Sequence, residues 1–365
     1  MTTRTILGSL ANQSRPCLGQ PGGNKILTVA NFLGNRGNNK ENQVENVKKI
    51  KPTTVTPRYG VKKSNKKICV EVEPMEVEEK LPEGVIDIDA DSEDMTACAE
   101  YARDITVYLR ALEPEHAVRE NFLEGAQLTS KMRSLLVDWL VSVHHQFDLV
   151  PETLFICINL LDRYLAARAR HTGREELQLV GLTCLLLAAK MEEILLPSME
   201  DWLYSTDNAY TEPELRAMEL NILSALNFRL APPIALTFLR RYSRAGDVDV
   251  LEHALSKYIL ELSLLDYGQT SSPPSLAAAA ALHLSLVLLE PPGSAVWSPS
   301  LQHHTGRTSA ELLPTVQRMA VVLGQAASHR LQAVREKFSS RRLRRVAVIA
   351  ETSQQFVEER LSGLG

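Results

Sequence analysis

The chain has 365 residues, of which 44% are hydrophobic, 23% are charged and only 5% are aromatic. This composition is ordinary for a soluble globular protein. The five cysteines form no CxxC pair and no metal-ligand spacing, and their odd number and wide spacing favour a reducing compartment over a disulfide framework. No signal peptide is visible and no apolar run is long enough to span a bilayer, so we predict an intracellular protein that does not cross a membrane.

Charge divides the chain into blocks that the net value of -4 conceals. Residues 1–67 hold 13 basic and two acidic residues, whereas residues 68–95 hold one basic and 11 acidic residues. Residues 1–80 also show no sustained hydrophobic period. A segment of this kind buries too little apolar surface to offset its ordering entropy, so we predict a disordered regulatory tail over residues 1–80.

The pattern of the following residues is helical. An acidic lead-in and a first helix occupy residues 81–129, and we expect this helix near 96–111, ending before Pro114. Its residues Tyr101, Ile105 and Tyr108 share one face. Apolar spacing and capping residues then predict helices at about 130–146, 151–168, 174–191, 198–205 and 211–226.

A proline pair, Pro232-Pro233, separates these helices from a second set with the same rhythm. The second set is predicted near 233–244, 247–264, 274–290, 296–304 and 308–325, with a last helix near 328–338. No alternation of strand type stands out. We therefore predict an all-α fold of two tandem five-helix repeats, over residues 130–229 and 230–348, with a carboxyl-terminal extension over 349–365.

No constellation in the sequence points to catalysis or to a bound group. A Gly-rich phosphate loop, a Rossmann fingerprint, a nucleophile elbow and a kinase signature are all absent. The adjacent pairs His144-His145 and His303-His304 point to different sides of a helix and cannot chelate a metal as an i, i+4 pair does. We therefore predict no catalytic residue, no metal and no cofactor.

The stretch from residue 131 to 143 is more apolar than a surface helix requires. Met132, Leu136 and Trp139 lie at i, i+4 and i+7 and share one face, while Val137 and Val141 form a second stripe. A helix that is apolar on more than one side is either a central core helix or keeps part of its surface for a partner.

Three strings, in this order and spacing, resemble the cyclin box. They are Met-Arg-Ser-Leu-Leu-Val-Asp-Trp-Leu-Val from residue 132, Leu-Leu-Asp-Arg-Tyr-Leu from residue 160, and Leu-Leu-Ala-Ala-Lys-Met-Glu-Glu from residue 186. The resemblance covers about residues 81–348. The string Phe-Leu-Arg-Arg-Tyr-Ser-Arg-Ala from residue 238 is similar to that of B-type, mitotic cyclins.

This resemblance implies a regulatory subunit that forms a heterodimer with a mitotic cyclin-dependent serine/threonine kinase, activates it at the G2/M transition, and catalyses no reaction itself. Cyclins contact the αC region of the kinase through a Lys and a Glu at the positions of Lys190 and Glu219. The neighbours Met191, Glu192 and Glu193, and the face of Tyr101, Ile105 and Tyr108, are implied to share this interface. Met191 departs from the family, where an aromatic residue is common.

Local sequence alone leaves alternatives open for both parts of this interface. Lys190 also fits a snorkelling surface lysine, and its position at the end of an apolar helix suits a cation. The face of Tyr101, Ile105 and Tyr108 also fits packing within the chain.

The resemblance assigns two further roles to the first repeat. Arg133 and Asp162 stand where cyclins place a buried ion pair. A partly exposed surface that binds basic-plus-leucine docking motifs of substrates and inhibitors matches Met132, Leu136, Trp139, Arg174 and Gln178; core packing is the alternative for the first three. Ser142 replaces an acid found in some cyclins, which indicates weaker or differently selective docking.

The tail carries two motifs that the same resemblance makes functional. Arg4, Leu7 and Asn12 have the R-x-x-L-x-x-x-x-N form of a destruction box, and Lys40, Glu41 and Asn42 form a KEN box. They imply that the anaphase-promoting ubiquitin ligase binds the tail and that the protein is destroyed at mitotic exit. Disorder suits this role because the motif must be free to enter a receptor groove. The implied location is the nucleus and the cytoplasm.

A cyclin-fold transcription or nucleic-acid-associated adaptor is the alternative function. It predicts a basic face on the folded part, whereas residues 96–365 carry 26 basic and 31 acidic residues. We therefore expect neither nucleic acid nor a membrane among the partners. Gly306-Arg307 departs from the family, where an aromatic residue commonly follows this glycine, so the packing near the fourth helix of the second repeat stays open.

Overall fold

The helices follow the predicted order. The computed structural model of the chain describes residues 81–90, 98–291 and 296–353, and within these ranges it contains helices and no strand, which confirms the all-α prediction. The helices are α1 (Ala99–His116), α2 (Ser130–Gln146), α3 (Pro151–Arg168), α4 (Leu177–Glu192), α5 (Met199–Tyr204), α6 (Glu212–Ala225), α7 (Ala235–Ala245), α8 (Val250–Ser263), α9 (Pro274–Leu289), α10 (Pro299–Thr305), α11 (Ser309–Gln325), α12 (Ala333–Phe338) and α13 (Val346–Ser353). The predicted tail over residues 1–80, with both degradation motifs, lies outside the described residues.

Each repeat is built around one helix that is apolar on all sides. Helix α4 is buried at every position from Leu177 to Ala189 and packs against α2, α3 and α6. In the second repeat α9 has the same role, because it packs against α7, α8 and α11. A helix without a polar face must be enclosed by its neighbours. Helices α2–α6 and α7–α11 therefore form two repeats, as predicted.

Side-chain caps define several helix starts. The Thr129 hydroxyl accepts a backbone N–H at 3.3 Å at the start of α2. Ser198, Thr211, Asp249 and Thr308 each form a capping box, with an acid three residues later, at α5, α6, α8 and α11. A capping box satisfies two backbone donors that the first turn leaves free. These starts are therefore encoded locally in the sequence.

The first helix is longer than predicted. The expectation that it ends before Pro114 is wrong, because α1 continues to His116 with Pro114 in its last turn. Proline removes one backbone hydrogen bond there, and a tertiary contact holds the turn instead. The Glu113 carboxylate accepts both the backbone N–H and the hydroxyl of Ser275 at the start of α9, at 2.6 and 2.9 Å.

The lead-in and α1 are both held on the second repeat. The Arg110 guanidinium of α1 donates to the Tyr242 hydroxyl at 3.1 Å and to the His304 carbonyl at 2.7 Å. In the lead-in, both Asp89 oxygens accept from the Arg241 guanidinium, at 2.9 and 2.6 Å. This hydrogen-bonded contact lowers the pKa of the Asp89 carboxyl. The second repeat thus determines where α1 lies.

A buried ion pair joins α2, α3 and the second repeat. The Arg133 guanidinium donates through Nε and Nη2 to the two Asp162 oxygens, at 2.6 Å each. Only 2% of the Arg133 side chain is exposed. Its remaining nitrogen, Nη1, donates to the Leu264 carbonyl just after α8, at 2.9 Å. One guanidinium therefore connects two helices of the first repeat to the second.

Helix α12 bridges the repeats a second time, since it packs against both α2 and α8. The Asp138 carboxylate of α2 accepts the Ala333 backbone N–H at 3.0 Å. Lys337 and Glu261 of α8 form a buried ion pair at 2.6 Å. Burial raises the pKa of the Asp138 carboxyl to about 6.

Arg307 stands where cyclins commonly have an aromatic residue, and in this chain Trp297 contacts the same turn instead. Gly306 ends α10 with a φ of 64°, a conformation that glycine adopts readily. The Arg307 carbonyl accepts the indole N–H of Trp297 at 3.0 Å. The Trp297 ring packs on the buried His283 ring, with 5.2 Å between centroids.

Replacing Asp162 by Asn would leave the Arg133 charge buried without a counter-charge. We expect Asp162→Asn to lower the free energy of unfolding by about 3–5 kcal/mol, since this is the usual cost of breaking a buried pair. Urea unfolding followed by circular dichroism measures it. The control is Glu212→Gln, which breaks the exposed Arg216–Glu212 pair of α6 and should cost less than about 1 kcal/mol. Equal losses in the two variants would contradict the assignment.

Candidate functional site

A surface ion pair lies where α4 ends beside α6. Lys190, in the last turn of α4, contacts the Glu219 carboxylate of α6. Of these side chains, 40% of Lys190 and 17% of Glu219 is exposed. The cation also suits the negative carboxyl end of the α4 dipole. Because a pair this exposed contributes little to stability, its groups can be shared with a partner at small cost.

Several residues close to Lys190 or Glu219 in the sequence have exposed apolar side chains. Ile194 is 98% exposed, directly after α4. The other members of this group, which we call the apolar rim, are Met191, Leu195 and Leu196 at or after the end of α4, and Leu220 and Phe228 in or after α6. Grouped exposed apolar residues mark interaction sites.

Sequence reasoning missed all of the apolar rim except Met191. A signal existed for Ile194, Leu195 and Leu196, because three consecutive apolar residues stand between the predicted end of a helix and Pro197. No comparable signal exists for Leu220 or Phe228. In the sequence, Leu220 and Phe228 look like ordinary core residues. Only the folded structure shows that their side chains are exposed.

The two acids beside Lys190 differ in their surroundings. The Glu193 carboxylate accepts the Val150 backbone N–H and the Thr153 hydroxyl, at 2.8 and 2.7 Å, and so holds the start of α3. The Glu192 side chain is exposed to solvent. The pKa of its carboxyl is raised, first by the loss of part of its hydration and then by the negative charges of Glu152 and Glu193. Glu192 is therefore accessible to a partner, whereas Glu193 is engaged within the chain.

The outer face of α1 is exposed to solvent. Tyr101, Ile105 and Tyr108 are all exposed, so the alternative of packing within the chain is wrong for these three side chains. Val107 is also exposed and was missed by sequence reasoning. Since Arg110 and Glu113 hold α1 on the second repeat, its apolar residues are presented on a fixed helix.

Met132, Leu136 and Trp139 share one face of α2, but all three are buried. The prediction that this face is partly exposed is therefore wrong for Leu136, which is fully buried. The reason is its close packing on α4: a Cβ added at Gly181 would lie only 2.8 Å from a Leu136 methyl group. Glycine at this position lets α2 approach α4.

The other two residues of the predicted docking surface lie before and within α4. The Arg174 side chain is exposed, whereas Gln178 is buried. The Gln178 amide, one turn before Gly181, makes no hydrogen bond to any described residue, and neither does the indole N–H of Trp139. Buried polar groups without partners cost about 1–3 kcal/mol each, so both side chains are held at this position against a local energetic cost.

The described residues contain no group of three or more His, Cys, Asp and Glu able to hold a metal ion. Nor does any helix within the described ranges have the length and apolarity needed to cross a membrane.

Comparison with known proteins agrees with the two helical repeats. Residues 104–231 match the family model of the cyclin N-terminal domain, and residues 233–352 match that of the cyclin C-terminal domain. The G2/mitotic-specific cyclin-B of Marthasterias glacialis is 39% identical over 366 residues, covering 97% of this chain and 90% of that protein. The G2/mitotic-specific cyclin-B2 of Homo sapiens is 38% identical over 370 residues, covering 92% and 91%.

A solved structure shares the fold. The viral cyclin from herpesvirus saimiri superimposes with a TM-score of 0.53 at 18% identity, covering 61% of this chain and 96% of that one. Together with the sequence matches, the tandem helical repeats define a regulatory, non-catalytic class of protein. The chain belongs to the cyclin family, within its B-type, G2/mitotic group, and it is a regulatory subunit of a protein kinase rather than an enzyme.

The packing of Leu136 on Gly181 can be tested directly. Gly181→Ala would place a methyl group against both Leu136 methyls in a fully buried site, so we expect it to lower the free energy of unfolding by about 1–3 kcal/mol. Ala217→Gly, at an exposed position of α6, is a matched control for helix propensity, with an expected cost of about 1 kcal/mol. Restored stability in the double variant Gly181→Ala/Leu136→Ala, relative to Leu136→Ala alone, would locate the clash. A Gly181→Ala protein more stable than the native chain would refute it.

Proposed function

We propose that the chain forms a heterodimer with a mitotic cyclin-dependent serine/threonine kinase and binds it through Lys190, Glu219, Glu192, the apolar rim and the outer face of α1. The single observation that carries this proposal is the exposed Lys190–Glu219 pair set among exposed apolar side chains. The apolar residues supply the buried area that a stable interface needs. The hydrogen bonds of the charged pair fix the orientation of the kinase on this surface. An obligate interface of this kind buries about 2,000 Å² or more in total.

The activating mechanism is a shift of the kinase population. A cyclin-dependent kinase needs its αC helix in place so that its own Lys–Glu pair and metal-binding Asp are aligned. A surface that binds the aligned arrangement preferentially raises its population. The chain need not move or titrate to do this, because the enclosed helices α4 and α9 hold the surface in one geometry. The chain therefore contributes binding energy and no chemistry.

The kinase site is tested by Lys190→Ala/Glu219→Ala. We expect the double variant to bind the mitotic kinase at least about tenfold more weakly, because it removes the charged pair from the proposed interface. Its unfolding free energy should stay nearly unchanged, since the pair is exposed. Co-purification followed by a histone phosphorylation assay measures binding and activation.

The matched control for this variant is Arg318→Ala in α11, which removes the ion pair with Asp266 in the second repeat. It should bind and activate the kinase normally. If the Lys190/Glu219 variant also did so, the site assignment would be wrong.

A second part of the proposal concerns substrates and inhibitors, whose docking motifs bind beside Met132, Trp139, Arg174 and Gln178. The unpartnered Gln178 amide and Trp139 indole N–H support this position, because a docked peptide backbone can satisfy them. Since Met132 and Trp139 are nearly buried, the motif's leucine would contact only the small exposed part of each side chain. Ser142 supplies no charge for the motif's basic residue, which favours weak docking.

The third part concerns removal of the protein. The anaphase-promoting ubiquitin ligase would bind the destruction box of Arg4, Leu7 and Asn12 and the KEN box of Lys40, Glu41 and Asn42, all within the basic block of the chain. Both motifs lie within residues 1–80, distant in sequence from the helical repeats. We place the protein in the nucleus and the cytoplasm, where such a kinase acts through the cell cycle.

Replacing Arg4, Leu7 and residues 40–42 by alanine tests the degradation step. We expect the half-life in extracts leaving mitosis to lengthen at least about tenfold while kinase activation stays normal, because the motifs and the helical repeats are separate segments. Alanine at residues 62, 63, 66 and 67, four lysines of the same tail, is the control for loss of charge. Decay at the native rate in the motif variant would refute the proposal.

A further inference from the structure

A cleft between α1, α3 and the turn after α6 is lined by none of the residues assigned to the proposed kinase site. Its volume is about 440 Å³, and it is open to solvent. The cleft exists because small side chains line it: Ala166 and Ala167 of α3, Ala225 of α6, and Ala117 after α1. Their methyl groups make its apolar part.

Two guanidinium groups make the polar part of the same cleft. Arg229 forms an exposed ion pair with Glu115 at 2.9 Å. Arg163, which is half-buried, donates through Nη1 to the Arg229 carbonyl at 2.8 Å and lies 3.5 Å from the Asn159 side-chain oxygen. No carboxylate among the described residues pairs with Arg163, so the cleft holds one uncompensated positive charge. Burial, and then repulsion from Arg229, lower the pKa of the Arg163 guanidinium.

We propose that this cleft binds one acidic side chain of a partner protein's peptide segment. The oxyanion meets the Arg163 guanidinium, while the aliphatic stem of the side chain packs on the alanine methyl groups. A planar guanidinium matches the oxygens of either a carboxylate or a phosphate monoester. The cleft holds two guanidinium groups and one carboxylate, so its single net positive charge favours the singly charged carboxylate over a phosphate monoester, which carries about two negative charges.

The rim of the cleft favours a peptide over a nucleic acid. The exposed Asn227 side chain stands in the turn after α6 and can donate to and accept from a peptide backbone. The Glu115 carboxylate stands on the same rim and repels a second negative charge. A nucleic acid presents a continuous row of phosphates and requires an extended basic surface, which this cleft lacks.

The test is a titration of the full chain, labelled with ¹³C at its alanine methyl groups, with three peptides Gly-Ser-Xaa-Gly-Ser in which Xaa is Glu, phosphoserine or Gln. We expect the Glu peptide to shift the signals of Ala166, Ala167 and Ala225, and the Gln peptide to bind at least about tenfold more weakly. Tighter binding of the phosphoserine peptide would overturn the assignment of a carboxylate ligand. A single-stranded oligonucleotide should leave these signals unchanged, and its shifting them more than the peptides would overturn the proposal.

Two variants separate the charge of the cleft from its volume. Arg163→Gln removes the guanidinium, and Ala167→Leu, at an exposed position, fills the space; each should weaken anionic peptide binding by about tenfold or more. Arg216→Gln, an exposed residue of α6 outside the cleft, should bind as the native chain does. Arg163 also donates a hydrogen bond to the Arg229 carbonyl, so Arg163→Gln could fail to fold. In that case the binding affinity of Ala167→Leu tests whether the cleft is the peptide site. Equal binding of the Gln and Glu peptides, or native affinity in Ala167→Leu, would overturn the proposal.

Discussion

The Arg133 guanidinium is the group on which the placement of the two repeats depends. It donates two hydrogen bonds to Asp162 and a third to the Leu264 carbonyl. Helices α2 and α3 and the end of α8 therefore meet at one buried charge. A buried pair of this kind is weak evidence for net stability, because desolvation offsets much of the attraction. Its directional hydrogen bonds nevertheless favour one relative orientation of the helices. Apolar contacts alone, which have no direction, would specify that orientation less sharply.

The proposed kinase surface depends on that orientation because its parts are anchored on different repeats. Lys190 and the apolar rim belong to the first repeat, at the ends of α4 and α6. The outer face of α1 is held on the second repeat by Glu113, which accepts from the start of α9. A change in the angle between the repeats would separate the two parts. A regulatory subunit that acts by selecting one kinase conformation must keep them in register.

Much of the fold was predictable because its signals are local. Capping boxes at Ser198 and Thr211 and the apolar run of α4 specify helix starts and central helices without reference to distant residues. The errors arose where distant contacts overrode local rules. Pro114 is tolerated in α1 because Glu113 contacts α9, and Leu136 is buried because Gly181, on another helix, lies beneath it.

The candidate site was predictable to a smaller degree, because the residue types that build an interface also build a core. Lys190 and Glu219 emerged only from the resemblance to cyclins, since each alone reads as a surface charge. Ile194 is visible in the sequence as part of an apolar run outside a helix, but Phe228 is not. Whether an aromatic side chain near a helix end faces inward or outward depends on the packing of helices that are remote in sequence.

Hydrogen exchange of the full chain, alone and bound to the mitotic kinase, tests most directly whether a preformed surface binds the kinase. We expect slower exchange of backbone amides at residues 101–108 and 190–196 on binding. We expect no change in the enclosed helix α9, because the surface is held in one geometry before the kinase binds. Protection spread through α9, or confined to residues 132–139, would contradict it.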